Sequence, residues 1–437
     1  MQQDTVIGGA VAPPTFAEAL KVWARIGVLS FGGPAGQIAL MHRVLVEERK
    51  WIDEPRYLNA LNFCMLLPGP EAMQLATYVG WRLHGVKGGL AAGLLFVVPG
   101  ALVVLTLSAL YAAFGKLPLV EALFVGIKAA VLAIVVEALL RIARRSLKDN
   151  AEWLIAAAAF VGIFFFAVPF PLIVLAAAIF GFLRGAGRST QSPPAPVAAG
   201  VPFTRTLATT ALWLAIWIVP LAGLAALFGQ THVLTQLAVF FSKLAVVTFG
   251  GAYAVLAYMA QDVVEHYRWL TAGEMLDGLG LAETTPGPLI LVTEFVGFLA
   301  AHRHGGGNPW LMGALGALVT LWATFAPCFL WIFAGAPYIE RLNAEPRLKS
   351  ALAAVTAAVV GVILNLTVWF ALHVLFARVA ERWAGPLRLH LPELASVSWT
   401  ALLLSLLAMV LLFVLHRGIV ATLAACGALA LAWHVAL

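Results

Sequence analysis

Long apolar runs separated by short polar clusters cover nearly the whole chain. Read against glycine, proline and charged punctuation, they form thirteen segments: 16–46, 55–82, 86–114, 118–146, 152–167, 170–184, 206–229, 233–264, 273–300, 309–338, 349–377, 398–415 and 418–436. A bilayer core needs about 20 apolar residues per helix, so runs of this length predict membrane helices. Several runs hold Gly or Pro breaks, which leaves room for half-spans or hairpins. The stretch 152–184, split at "VPFP", is too short for two full spans. A Pro-, Gly- and Ser-rich linker runs from Arg184 to Phe203, and the first fifteen residues read as a polar tail without the pattern of a signal peptide.

Shifting the chain by 218 positions aligns residues 25–70 with 243–288 without a gap, and 14 of the 46 pairs are identical. Phe31-Gly32-Gly33 falls on Phe249-Gly250-Gly251, Glu47 on Glu265, Trp51 on Trp269 and Pro68-Gly69-Pro70 on Pro286-Gly287-Pro288. Further on, Pro99 matches Pro327. The chain therefore reads as a duplication: tail 1–15, repeat 16–185, linker 186–205, an extra helix 206–229 and a second repeat 230–437. Seven segments separate equivalent points, an odd number, which turns the second repeat upside down as in many secondary transporters. The predicted fold is an all-α polytopic membrane protein of two inverted repeats, broken at the Phe-Gly-Gly and Pro-Gly-Pro motifs. Lys and Arg favour the even-numbered connections, which places the N-terminus in the cytoplasm. The basic loop "HRVLVEERKWIDEPR" stands against that orientation, because it falls in an odd-numbered connection.

Composition narrows the class further. The chain is 62% hydrophobic and only 11% charged, far from a soluble domain. Its net charge of +6 lies mostly in loops, and no basic face with aromatics suggests nucleic acid. Cys64, Cys328 and Cys426 are too scattered for a disulfide framework or a metal site, and they read as small core residues. No HExxH, GxSxG, Walker A or strand–GxGxxG–helix pattern occurs, and "HRHGGG" at 302–307 reads as a turn. We therefore expect no enzyme, no metal and no cofactor.

The breaks carry the candidate chemistry. Proline cannot donate a backbone hydrogen bond and disfavours helix in the residue before it. Half-helices starting within the membrane present unpaired N–H groups and a positive dipole end, which together suit an anion. Arg25 and Lys243 lie about one and a half turns before their glycine pairs. Ser30, Thr248, Thr284 and Thr285 offer hydroxyl donors. Glycines in membrane helices also serve close packing, and the two cations also suit an interfacial role or, for Arg25, pairing with Glu18. The joint recurrence of these features in both repeats favours binding. The candidate substrate site is thus Arg25, Ser30, Phe31, Gly32, Gly33, Pro68, Gly69, Pro70, Lys243, Thr248, Phe249, Gly250, Gly251, Thr284, Thr285, Pro286, Gly287 and Pro288. Glu71, Gln74, Tyr78, Glu283 and Glu294 are candidates for coupling, since intramembrane carboxylates carry protons. Asn365 reads as a helix–helix hydrogen bond.

"FGGPAGQIALMHRVLVEERKWID", "LLPGPEAMQLATYVGW" and "TTPGPLILVTEFVGF" resemble the signatures of the chromate ion transporter family in its long, two-repeat form. The resemblance implies a bacterial inner-membrane secondary transporter that exports chromate and confers resistance, with sulfate as structural analogue and competitor. Uptake of sulfate or another oxyanion is the alternative. The coupling ion stays open between protons and exchanged anions, and the oligomeric state allows a homodimer.

Overall fold

The computed structural model describes residues 14–31, 33–185, 202–247, 249, 252–339 and 345–436. The chain opens with α1 (Phe16–Leu29), started by the Thr15 hydroxyl, which accepts from the Glu18 N–H. After Ser30 and Phe31 comes α2 (Gly33–His42), prolonged by a π-helical turn over Arg43–Glu48. Arg49 Nη1 lies 3.2 Å from Glu18 Oε1, so α2 ends on the face where α1 began. The first segment is therefore a re-entrant hairpin with its tip at 30–33. The second segment repeats the device. Helix α3 (Glu54–Leu66), capped by Asp53, runs inward. The chain turns at Leu67–Pro70, and the first limb of α4 (Glu71–Phe114) comes back until His84 Nε2 lies 2.9 Å from the Pro14 carbonyl.

At Gly85, with φ +62°, α4 reverses. Its second limb, 86–114, packs antiparallel on the first, with Gly80 against the Gly88 carbonyl and Gly93 against Thr77. Side chains there would hold the limbs apart, and small residues let the backbones approach. This limb crosses to the opposite face and α5 (Pro118–Ser146) crosses back. Helices α6 (Asn150–Phe166) and α7 (Phe170–Gly185) then go out and return, joined at Ala167 (φ +50°) and Pro169. The stretch expected to be too short for two full spans makes two helices of 17 and 16 residues, shorter than the long apolar ones. Each rises about 25 Å. Helix α8 (Phe203–Phe228) crosses once more.

The second repeat copies this plan. Helices α9 (Val233–Val247) and α10 (Ala252–Gln261) form one hairpin. Helices α11 (Ala272–Thr284) and α12 (Val292–His304) form the other, and α13 (Pro309–Gly335) follows as the counterpart of the second α4 limb. His232 Nε2 reaches the Gly305 carbonyl at 3.2 Å, mirroring His84 on Pro14. Next comes α14 (Pro346–Leu375), the counterpart of α5. Helices α6 and α7 lie along it, Gly361 against Ala156 and Gly181 against Ser350 and Ala351. The chain ends with α15 (Trp399–Met409) and α16 (Ile419–Ala436). Neither re-entrant hairpin crosses, so two segments leave the parity count together and the number stays odd. The repeats are inverted.

Two features depart from the sequence reading. A β-hairpin, β1 (Val379–Ala384) paired antiparallel with β2 (Leu387–Pro392), turns through Gly385 and stands where the first repeat has only residues 147–149. The alternation in "LRLHL" beside Gly-Pro was its sequence signal. The basic loop 43–56 also lies on the N-terminal face, because α1 and α2 double back. It no longer opposes the charge bias of the other loops.

Candidate functional site

The hairpin tips of the two repeats meet inside the protein. The Gly287 N–H donates to the Ser30 carbonyl at 2.8 Å. Gln37 Nε2 donates to the Gly287 carbonyl at 2.6 Å and approaches the Ser30 carbonyl at 3.4 Å. The packing is two-fold in kind. Gly287 lies against Gly100 of the first repeat, and Gly69 lies against Cys328 of the second. The shifts that align Pro70 with Pro288 and Pro99 with Pro327 also pair Gly69 with Gly287 and Gly100 with Cys328. Both tip glycines sit at positive φ, +116° for Gly69 and +91° for Gly287, where a side chain is strained.

The expected residues divide around these tips. Ser30, Pro68, Gly69, Pro70, Thr285, Pro286, Gly287 and Pro288 belong to the tip turns or flank them. Gly32, Thr248, Gly250 and Gly251 lie outside the described residues. Gly33 (φ +70°) opens α2, Phe31 is exposed, and Phe249 is half-buried. The hydroxyls are not aimed at a ligand. Ser30 Oγ donates to the Ile26 carbonyl at 2.6 Å, Thr285 Oγ1 to Ala282 at 3.2 Å, and Thr284 Oγ1 to Leu281 at 2.8 Å. Among apolar neighbours, a hydroxyl takes the nearest free helix carbonyl. Arg25 and Lys243 are exposed on α1 and α9, and both helices turn their other sides to the core. Among the described residues Asn365 has no helix–helix bond; it lines a cavity of about 260 Å³ with Tyr258, Asp262 and His266 near the face opposite the N-terminus.

Of the coupling candidates, Gln74 donates from Nε2 to the Pro68 carbonyl at 2.7 Å, while its Oε1 has no partner among the described residues. Tyr78 packs on Phe63 and Trp81. Glu283 is buried, with Oε1 accepting from Tyr253 at 2.7 Å and Oε2 without a partner among the described residues. Glu294, only 1% exposed, also keeps an unpartnered oxygen, Oε2. Glu71 begins α4 and lines the largest of the described cavities, about 590 Å³, which reaches from the N-terminal face to the tip glycine Gly69. His42, Arg141, Arg145 and Tyr253 line it too.

Sequence reading missed these last four, because only the fold brings α2, α5 and α10 together. It also missed Asp277, held by Lys128 Nζ at 3.2 Å and by the Tyr111 hydroxyl at 2.7 Å. Arg388 of the β-hairpin, 4% exposed, bonds Glu265 at 3.0 Å and the Ile163 carbonyl at 3.2 Å. Glu265, Glu381 and His390 bring their ligand atoms within 4.8 Å of one another. The guanidinium already on Glu265 occupies that space with positive charge, which suits a cation poorly.

Inverted repeats, re-entrant hairpins meeting tip to tip and a cavity that runs from one face to one tip define a polytopic membrane protein of the transporter class. Among the described residues, six helices are long and apolar enough to cross a bilayer. The family model described as Chromate transporter matches residues 17–182 and 235–431, and the chain belongs to that family. It is 33% identical over 365 residues to a chromate transport protein of Pseudomonas aeruginosa, covering 81% of each chain. Its identity to a chromate transport protein of Cupriavidus metallidurans is 30% over 373 residues, 82% of this chain and 84% of that one. A probable chromate transport protein of Synechococcus elongatus is 30% identical over 348 residues, 80% of this chain and 82% of that protein. No solved structure matches.

Proposed function

We propose that this chain is a secondary transporter that carries chromate out of a bacterial cell across the inner membrane, driven by the proton gradient, and so confers chromate resistance. The observation that carries the reading is the meeting of hairpin tips entering from opposite faces, Gly287 on Ser30. A small acceptor-only dianion then crosses only a short barrier between a cavity on one side and the opposite face. The N-termini of α4 and α12, which follow the turns, supply positive dipole ends there. The N-terminal face is the cytoplasmic one in this reading. The turns at 43–50 and 141–148, together with Arg184, Arg205, Arg347, Lys349 and Arg417, load it with positive charge.

Glu283 is the proton carrier in this scheme. It is buried, one oxygen is held by Tyr253 at the cavity wall, and the other is free to take a proton. The test is chromate uptake into everted vesicles under an imposed pH gradient, with sulfate as competitor. Accumulation that follows the gradient and disappears in Glu283→Gln supports the scheme. Chromate uptake indifferent to the gradient in the wild type removes proton coupling, and no uptake at all removes chromate as cargo.

A further inference from the structure

A dianion entering low dielectric needs fixed positive charge, and the two cations expected to supply it, Arg25 and Lys243, face outward. The N-terminal face offers others. Beside the 590 Å³ cavity lies a second of about 410 Å³, and the two share Met65, Arg145, Ser146, Leu352 and Thr356 as walls. Lys148 and Lys349 line the second cavity. Among the described residues, neither Arg145, Lys148 nor Lys349 forms an ion pair.

The carboxylates nearby are otherwise engaged. Glu152 accepts from the backbone N–H groups of Lys148 and Asp149 at 2.6 and 3.2 Å. Glu47 lies 3.1 Å from His42 Nδ1, and Glu137 takes Arg141. Glu71 alone faces the cavity uncommitted to a side chain, deeper than Arg145 and at the start of α4. The cavity near the opposite face has the reverse character, lined by Asp262 and His266 and by no Lys or Arg.

We infer that Arg145, flanked by Lys148 and Lys349, is the loading site for a tetrahedral dianion at the joined cavities of the N-terminal face. This rests on the transport reading above and names where its cargo first binds. The guanidinium fork meets two oxygens of a tetrahedral oxyanion, and the two ammonium groups raise its local concentration at the mouth. A bound dianion at Arg145 also stands above Glu71, whose negative charge opposes deeper passage until Glu71 is protonated or paired.

The experiment measures sulfate binding to purified protein in detergent, and chromate KM and Vmax in everted vesicles, for wild type, Arg145→Gln, Arg145→Lys and the double variant Lys148→Gln/Lys349→Gln. Arg144→Gln, on the same helix but lining neither cavity, controls for the loss of one charge. We expect Arg145→Gln to weaken sulfate binding and raise KM at least tenfold, with Vmax within twofold and Tm unchanged. Arg145→Lys falls between, and the double variant raises KM severalfold and flattens its dependence on ionic strength. Wild-type sulfate affinity and KM in Arg145→Gln overturn the site, as does an equal loss in Arg144→Gln. Sulfate binding that depends on Arg145 without any chromate uptake upholds the site while removing the chromate reading.

Discussion

The two repeats share a fold, yet the larger cavities lie at the N-terminal face, and the equivalent places at the opposite face are tied by ion pairs. At the N-terminal face, Glu47 and Asn59 of the first repeat and Thr356 on α14 of the second border open cavities. The aligned positions at the opposite face are Glu265 and Asp277 of the second repeat and Lys128 on α5 of the first. There Glu265 holds Arg388 of the inserted hairpin, and Asp277 holds Lys128, with Tyr111 on its second oxygen. Arg56 aligns with Glu274, which takes Arg303 at 2.6 Å. Duplication set the scaffold, and substitution of a few polar residues decided which side has room. An asymmetry in charge thus becomes an asymmetry in access.

The largest effect should come from breaking these ties at their buried pair. Lys128→Met leaves Asp277 uncompensated and costs about 3–5 kcal/mol, read as a fall in Tm in detergent. The double variant Lys128→Thr/Asp277→Asn copies Thr356 and Asn59, the pair at the equivalent place on the N-terminal face, and should recover most of that loss. A double variant no more stable than Lys128→Met would show that the pair's charges are not what closes this side.

The tip glycines come next, because there the repeats are alike. Gly287→Ala forces a Cβ to φ +91° and to within 2.9 Å of Leu291 Cδ1, at a cost of about 1–3 kcal/mol and with loss of transport. Gly69→Ala, at φ +116° and 3.0 Å from Cys328 Sγ, should behave the same way. Gly223→Ala on α8 meets no atom within 4 Å and should be neutral or stabilise by about 1 kcal/mol. Gly93 would be a poor control, since Phe329 lies in the way. Unequal damage at the two tips would mean that the pseudo-symmetry is only geometric.

A smaller effect is expected at the hairpin. Arg388→Gln removes a buried charged bond worth about 1.5–3 kcal/mol and should speed hydrogen exchange in residues 379–392 before any change in Tm. Unaltered exchange would make the hairpin a passive insert.

The smallest effect is at the corresponding turn of the first repeat. Arg184 beside Asp149, together with the Glu152 N–H, holds that carboxyl below its ordinary range. The stabilisation is complete above the unfolded carboxyl's value, about 3.9, and is lost as pH falls through the lower folded value. Arg184→Gln should lower Tm slightly at pH 7, and the difference from wild type should vanish as pH falls through the folded value. A difference that grows towards acid would refute this.

Much of the fold was legible because its signals are local or periodic. Apolar runs marked the helices, and the shift of 218 exposed the duplication before any coordinate. Whether a broken segment continues or turns back was not legible. Gly-Gly and Pro-Gly-Pro say that a helix stops, and only Glu18 meeting Arg49 says that it returns. The structure puts the expected site residues in more than one place. Ser30, Thr284 and Thr285 spend their hydroxyls on carbonyls that local sequence supplies, and helix rotation, fixed by packing, turns Arg25 outward. Arg145 looked like one loop charge among several, because its neighbours Glu71 and Tyr253 are far away in sequence.

The tip contacts also bear on how such a protein could arise and be inserted. Gly69 rests on a helix of the other repeat, and Gly287 rests on one of the first, so neither half closes its own turn. A chain with a single repeat would need a second copy threaded into the bilayer in the opposite sense. Dual-topology insertion of a half-length ancestor supplies that mate. Once two such halves are fused in one gene, an odd number of crossings must join them, and α8 between the repeats makes the number odd.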